Sequence, residues 1–126
     1  MNKYENKELN ILRKAVDKAE LSLKRELVNS PLISQLIHVV ENFIKSNGNI
    51  CYGGTAINNI LPKKEQFYDR SVELPDYDVY SINAIKDAKQ ISDIFAKKGF
   101  SSIEAKSGVH YGTYKVYVNF IPVMDI

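Results

Sequence analysis

The stretch "CYGGTAIN", Cys51 to Asn58, places two glycines and a threonine between residues typical of a strand and residues typical of a helix. The apolar "NICY" before the glycines predicts a short strand, and "TAINNIL" predicts a short helix that ends near Pro62. Glycines at such a junction let backbone N–H groups approach a phosphate, and the helix start adds free N–H groups and a positive dipole. The stretch therefore predicts a strand–turn–helix unit able to bind a phosphate.

A second motif follows in "ELPDYDVYS", Glu73 to Ser81. Residues i and i+2 of a strand point to the same side, so Asp76 and Asp78 are expected to present their carboxylates together. Such a pair repels unless a cation lies between its members, and oxygen ligands suit Mg²⁺. A lone glycine pair is most often a tight turn, and a lone D-x-D is most often an exposed strand edge. Both motifs in this order predict a triphosphate cradle that faces a metal pair, as in two-metal phosphoryl transfer.

The rest of the chain predicts an α+β or α/β domain with a small mixed sheet flanked by helices. Residues 6–28 and 31–47 have the apolar spacing of helices, and Asn83 caps another over 84–98. "SSIEAK" and "TYKVYVNF" predict a hairpin, and the final "IPVMDI" continues as strand. Residues 1–48 form an N-terminal helical segment and residues 49–126 the core. The chain stops at Ile126 within an apolar strand pattern, which predicts a truncated domain.

Composition excludes several classes of protein. The single cysteine of the 126 residues allows no internal disulfide, and no apolar run approaches the length of a membrane span. The formal charge of +2 is too small to indicate a nucleic-acid partner by itself.

The two motifs together resemble the signature of the polymerase-β-like nucleotidyltransferase superfamily, here "YGGT" at 52–55 and "DYDV" at 76–79. From Ile50 to Ile126 the chain is most similar to the poly(A) polymerase catalytic subunits of large DNA viruses. The resemblance implies an enzyme with a nucleotidyltransferase fold that adds AMP from ATP to an RNA 3′ end. It also implies a two-metal mechanism that uses Mg²⁺ or Mn²⁺.

The resemblance assigns roles to individual residues. Asp76 and Asp78 match the paired catalytic, metal-binding aspartates, and the superfamily has a third catalytic carboxylate on a later strand. We choose Asp125 for it, with Glu104 in reserve. The triphosphate-binding turn is matched by Gly53, Gly54 and Thr55. The gap between the motifs is longer than usual, so "KKEQFYDRS" at 63–71 is interpreted as an inserted loop.

ATP and an RNA 3′ end are the implied partners, with no membrane, and a homodimer or a regulatory subunit is left open. The implied location is intracellular, in the cytoplasm of an infected cell or in a virion. Two alternatives also stay open: a toxin-type nucleotidyltransferase, which Pro75 disfavours, and a non-catalytic scaffold or processivity module of the same fold. Whether the fragment is active without parts beyond Ile126 is open as well.

Some other residues have two interpretations. Lys115 and Arg70 could contact phosphate, although a solvated charge is the commoner role. Tyrosines in or near strands could stack on a base, although packing is commoner: Tyr77, Tyr80, Tyr111, Tyr114 and Tyr117.

Overall fold

A computed structural model of the chain describes residues 3–71 and 73–126. The helices are α1 (Lys3–Val28), α2 (Pro31–Asn47), α3 (Gly53–Ile60) and α4 (Ala84–Lys97). The strands are β1 (Ile50–Tyr52), β2 (Tyr77–Tyr80), β3 (Ile103–Ser107), β4 (Tyr114–Val118) and β5 (Ile121–Asp125). The predicted order of elements is confirmed, and the predicted loop after α3 contains a short 3₁₀ helix at Lys63–Glu65.

The five strands form one mixed sheet in the order β1-β2-β5-β4-β3. β2 and β5 run parallel, and the other neighbouring strands are antiparallel. The expected α+β fold with a small mixed sheet is therefore confirmed. β5 returns to the centre of the sheet and lies between β2 and β4, which puts the last strand beside the strand that carries the D-x-D motif.

One face of the sheet holds the core. α2 packs against β5 and α4, and α4 packs against β3 and β4. Side chains alternate between the two faces of a strand, so in β2 Tyr77 and Val79 are buried under the helices whereas Asp78 and Tyr80 point the other way. We call the face opposite α2 and α4 the outer face.

A polar cluster around Asp87 ties the helical layer to the ends of β1 and β2. The carboxylate of Asp87, in the first turn of α4, accepts hydrogen bonds from the Ser81 hydroxyl at 2.5 Å and from Asn49 Nδ2 at 3.2 Å. Asn49 Nδ2 also donates to the carbonyl of Tyr80. These contacts fix the start of β1 and the end of β2, which lie away from the glycine turn at Gly53 and Gly54.

α1 forms as its apolar spacing predicts, but the apolar positions of this helix are exposed. Leu12 is 61% exposed and Leu23 is 64% exposed. The spacing of apolar residues predicts a helix, but it does not predict whether the apolar face is buried. None of the described helices combines the length and the hydropathy that crossing a membrane requires.

The turn between β4 and β5 sets the position of the last strand. Its two central residues, Asn119 and Phe120, have φ angles of 52° and 64°. Positive φ at both central residues is typical of the tight type I′ hairpin turn. This turn lets β5 pair with β4 on one side and with β2 on the other.

Candidate active site

The predicted third carboxylate lies beside the D-x-D motif. In the parallel ladder between β2 and β5, Asp125 is the register partner of Asp78. Neighbouring strands are about 4.8 Å apart, and direct partners point to the same face. Both side chains are half-buried on the outer face. The structure thus brings Asp125 to Asp78, with Asp76 two residues earlier on the same chain segment.

Glu104, the reserve for the third carboxylate, lies elsewhere. It is on β3, at the edge of the sheet and two strands from Asp125. Its carboxylate pairs with the ammonium of Lys106 at 2.9 Å. The structure therefore does not bring Glu104 to the aspartate pair.

Gly53 is in direct contact with the D-x-D motif. Its φ is +77°, and a Cβ added there would lie 2.7 Å from Oδ2 of Asp78. Only glycine both adopts this backbone without strain and leaves room for the carboxylate. The carboxylate of Asp78 therefore occupies the space that a Cβ at position 53 would fill. This contact brings the two sequence motifs together.

Thr55 joins the motifs a second time. Its hydroxyl oxygen accepts a hydrogen bond from the backbone N–H of Asp76 at 3.2 Å, and its side chain is 6% exposed. This bond holds the chain at the entry to β2 against the first turn of α3. A hydroxyl that accepts one bond can still donate another, so the expected role of Thr55 in nucleotide binding stays a prediction.

The start of α3 has the features of an anion site. Tyr52 occupies the N-cap position and makes no side-chain hydrogen bond to the first turn. The first N–H groups of a helix have no acceptor within the helix and therefore need one from outside it. The backbone N–H groups of Gly53 and Gly54 lie at this helix start, and Gly53 is beside Asp78. A triphosphate cradle requires such a placement.

The inserted loop is held over this turn. Asn58 on α3 is 2% exposed, and its Oδ1 accepts the backbone N–H groups of Phe67 at 2.8 Å and Tyr68 at 3.1 Å. The Tyr68 ring then lies against Gly54, where an added Cβ would be 2.5 Å from the Tyr68 hydroxyl oxygen. The second glycine therefore makes room for the inserted loop.

Replacing Asn58 with alanine is expected to release this loop, because two backbone N–H groups lose a buried acceptor. Each such loss costs roughly 1–3 kcal/mol. Hydrogen exchange should show faster exchange at the amides of Phe67 and Tyr68, with little change in β4. Asn59→Ala is the matched control, since Asn59 is exposed and accepts its hydrogen bond from the Arg70 side chain, at 2.6 Å, and not from the loop backbone. Equal exchange in both variants would contradict the anchoring role.

The surroundings of Asp78 disfavour the charged form of its carboxylate. Burial, and then the carboxylates of Asp76 and Asp125, raise the pKa of Asp78 above its usual value, while the Lys115 ammonium acts in the opposite direction. Lys115 Nζ lies 3.0 Å from Oδ2 of Asp125, and this hydrogen bond raises the pKa of Lys115. A cation near Asp78 would relieve the repulsion.

A cavity of about 430 Å³ opens beside the motifs, on the side of α3 and the inserted loop. Of the predicted site residues it borders Thr55 and Asp76, whereas Asp78 and Asp125 lie on the outer face of the sheet. Its walls also include the ring of Tyr68 and the cations Lys24 and Arg70. Its volume is within the range of small-molecule sites.

The acids fit Mg²⁺ or Mn²⁺ if substrate phosphates supply part of the ligands. Within residues 3–71 and 73–126, no three acidic, histidine or cysteine side chains are gathered closely enough to hold one ion by themselves. Mg²⁺ is usually bound by one or two carboxylates, with waters and substrate phosphates as the other ligands. The pairing of Asp78 with Asp125 meets that requirement, and the phosphate ligands would come from the substrate.

Asn58 and Tyr68 were missed in the sequence. A signal for Asn58 exists, since an asparagine in the middle of a short helix is unfavourable unless its side chain has a partner. No local pattern indicates that Tyr68 meets Gly54, because that contact depends on how the loop folds back.

Comparisons with known proteins agree with this architecture. The family model described as the poly(A) polymerase catalytic subunit matches residues 38–126. A putative poly(A) polymerase catalytic subunit of African swine fever virus (isolate Tick/Malawi) is 32% identical over 88% of this chain, which corresponds to 23% of the relative. The one from Acanthamoeba polyphaga mimivirus is 30% identical over 85% of this chain and 19% of its own length.

The crystal structure of the Megavirus polyadenylate synthase superposes on the whole chain with a TM-score of 0.75 at 26% identity, and the match covers 26% of that protein. The chain thus spans about a quarter or less of the length of these relatives. Because the family model covers most of the chain, the chain belongs to the family of poly(A) polymerase catalytic subunits.

Proposed function

We propose that this chain carries the catalytic centre of an enzyme that transfers AMP from ATP to an RNA 3′ end. The observation that carries the proposal is the register of β2 and β5, which pairs Asp125 with Asp78 while Gly53 lies against the same carboxylate. A turn able to bind phosphate and neighbouring acids able to bind metal ions are the two parts that phosphoryl transfer needs. Membership of the family supports the choice of ATP and RNA as substrates.

In the proposed reaction the RNA 3′-hydroxyl oxygen attacks the α-phosphorus of ATP. The bond between the 3′ oxygen and the α-phosphorus forms, the bond from the α-phosphorus to the bridging oxygen of the β-phosphate breaks, and pyrophosphate leaves. The proton of the 3′-hydroxyl passes to solvent water. The N–H groups at Gly53 and Gly54 bind the β- and γ-phosphates and orient the leaving group. Positioning of this kind accounts for much of the catalysis in phosphoryl transfer.

Asp76, Asp78 and Asp125 would hold Mg²⁺ or Mn²⁺ together with the substrate phosphates. When bound, the metal ions lower the pKa of the attacking hydroxyl and offset the charge on the leaving group. Thr55 contributes by fixing the backbone of Asp76 through its hydrogen bond. Lys115 neutralises part of the acidic charge through its ion pair with Asp125.

The non-catalytic alternative predicts that no third acid faces the D-x-D pair. The pairing of Asp125 with Asp78 favours the enzyme over this alternative. No feature of the site favours a toxin-type nucleotidyltransferase.

The test is incorporation of AMP into RNA. The chain is incubated with a short single-stranded RNA, Mn²⁺ and ATP labelled at the α-phosphate, and the RNA is separated and measured. We expect labelled RNA longer by AMP units with the wild type, and none with the double variant Asp76→Asn/Asp78→Asn. RNA that stays unlabelled at saturating concentrations of chain and substrates, or equal labelling by both proteins, would count against the proposal.

A further inference from the structure

A continuous row of side chains crosses the outer face through the acids. The strand registers pair Tyr52 with Asp78, Asp78 with Asp125, Asp125 with Lys115 and Lys115 with Lys106. Asp78 and Asp125 are therefore flanked by the glycine turn and β1 on one side, and by two lysines on β4 and β3 on the other.

The two sides of this row differ in what they can bind. The β1 side leads directly into Gly53 and the start of α3, where the triphosphate is proposed to lie. An in-line displacement requires the attacking and leaving oxygens on opposite sides of the reacting phosphorus. The RNA strand that supplies the attacking 3′-hydroxyl must then reach Asp78 and Asp125 from the opposite side, over β4 and β3.

That side has the chemistry of a nucleic-acid platform. Lys106 and Lys115 are direct cross-strand partners, so two ammonium groups lie side by side on this face. The ring of Tyr117 shares this face, with Lys106 Nζ 5.4 Å from its centroid. Lysines beside an aromatic ring are typical of single-strand binding, in which cations hold phosphates and rings stack on bases.

The ion pair of Lys106 with Glu104 leaves Lys106 available to a phosphate. The side chains of Lys106 and Glu104 are 61% and 45% exposed. An exposed pair of this kind contributes little, so a phosphate can replace Glu104 as the partner of Lys106. Lys115 remains beside Asp125 and would contact the phosphate nearest to the acids.

We propose that the outer face over β3 and β4 binds the 3′ segment of a single-stranded RNA, with Lys106 and Lys115 on its phosphates and Tyr117 stacked on a base. The inference rests on the proposed function, because that reaction sets the side from which the RNA strand approaches the acids. It names the RNA surface of the same site, on residues to which the proposed reaction assigns no contact with ATP.

The test is fluorescence anisotropy of a labelled single-stranded hexanucleotide RNA with the chain, in EDTA and without ATP, so that catalysis and metal binding play no part. We expect Lys106→Gln to weaken binding several-fold and to reduce the slope of log K against log salt by about 0.7. Lys89→Gln, which removes an exposed lysine of α4, should change neither. Tyr117→Ala should weaken binding roughly ten-fold, whereas Tyr117→Phe keeps the ring and should bind as the wild type.

Equal losses in Lys106→Gln and Lys89→Gln would overturn the inference, because binding would then follow net charge alone. Full binding by a folded Tyr117→Ala variant would overturn it too, and so would an absence of RNA binding by the wild type. Circular dichroism of each variant shows that it is folded. If RNA binding maps to this face while labelled AMP is never incorporated, the proposed function fails and the RNA surface stands.

Discussion

Replacing Asp78 with asparagine is expected to weaken binding of Mn²⁺ with ATP on the order of 100-fold, the loss of about two tenfold steps of 1.4 kcal/mol each. The asparagine keeps the shape of the side chain but removes the charge that repels Asp125 and attracts a cation. Calorimetric titration of Mn²⁺ in the presence of ATP measures the change. Asp93→Asn is the control, because Asp93 is an exposed acid of α4 and should bind as the wild type.

The same variant is expected to be more stable than the wild type when metal is absent. Burial and the neighbouring carboxylates raise the pKa of Asp78, so the folded chain binds this proton more tightly than the unfolded chain does. The free energy of unfolding then falls as the pH rises from the ordinary pKa through the raised one. Asp78→Asn removes this fall in the free energy of unfolding. The melting temperature of the variant in EDTA should therefore exceed that of the wild type at neutral pH, and the difference should be smaller at acidic pH. A lower melting temperature at neutral pH would contradict the account.

Gly53→Ala is expected to abolish nucleotide and metal binding by moving a carboxylate. The residue would have to keep a φ of +77°, which costs about 1–2 kcal/mol for a residue with a Cβ. The Cβ would also lie 2.7 Å from Oδ2 of Asp78, so the carboxylate must leave its position. Calorimetry with Mn²⁺ and ATP, together with thermal melting, separates the two effects.

Gly112→Ala is the matched control for this experiment. Gly112 has a φ of +81°, and an added Cβ there would meet nothing within 4 Å. Both variants should lose similar stability from backbone strain, and only Gly53→Ala should lose binding. Equal binding by the two variants would show that the contact between the turn and Asp78 has no role in the site.

Much of the fold is predictable because its signals are local. The helix starting at Pro31 is preceded by Ser30 and followed by Gly48, which are residue types typical of a helix cap and a helix stop, and the structure uses both in these roles. Strand alternation alone predicts that Asp78 points away from its apolar neighbours Tyr77 and Val79, and the structure confirms this. The turn at Asn119 and Phe120 has no comparable signal, because a bulky residue rarely adopts positive φ and the usual partner of asparagine there is glycine.

The site was predictable in its parts but not in how the parts meet. The glycines were expected to admit a phosphate, and the structure adds that the missing Cβ atoms make room for Asp78 and Tyr68. The hydrogen bond from the backbone N–H of Asp76 to the Thr55 hydroxyl spans 21 residues, so no pattern within either motif indicates it. Asp125 was identifiable as an acid on a late strand, yet its position next to Asp78 depends on the order of strands in the sheet.

The most direct test of the central claim is to locate Mn²⁺ and ATP on the chain by paramagnetic broadening of backbone amide NMR signals. We predict that Mn²⁺ with ATP broadens the signals of residues 53–55, 76–79 and 124–126 first, and that Mg²⁺ with ATP shifts the same signals without broadening them. The amides of β3 and of the Asp87 cluster should be affected later. Broadening centred away from Asp78 and Asp125, or spread evenly over all exposed acids, would contradict the account of this face as a nucleotidyl-transfer site.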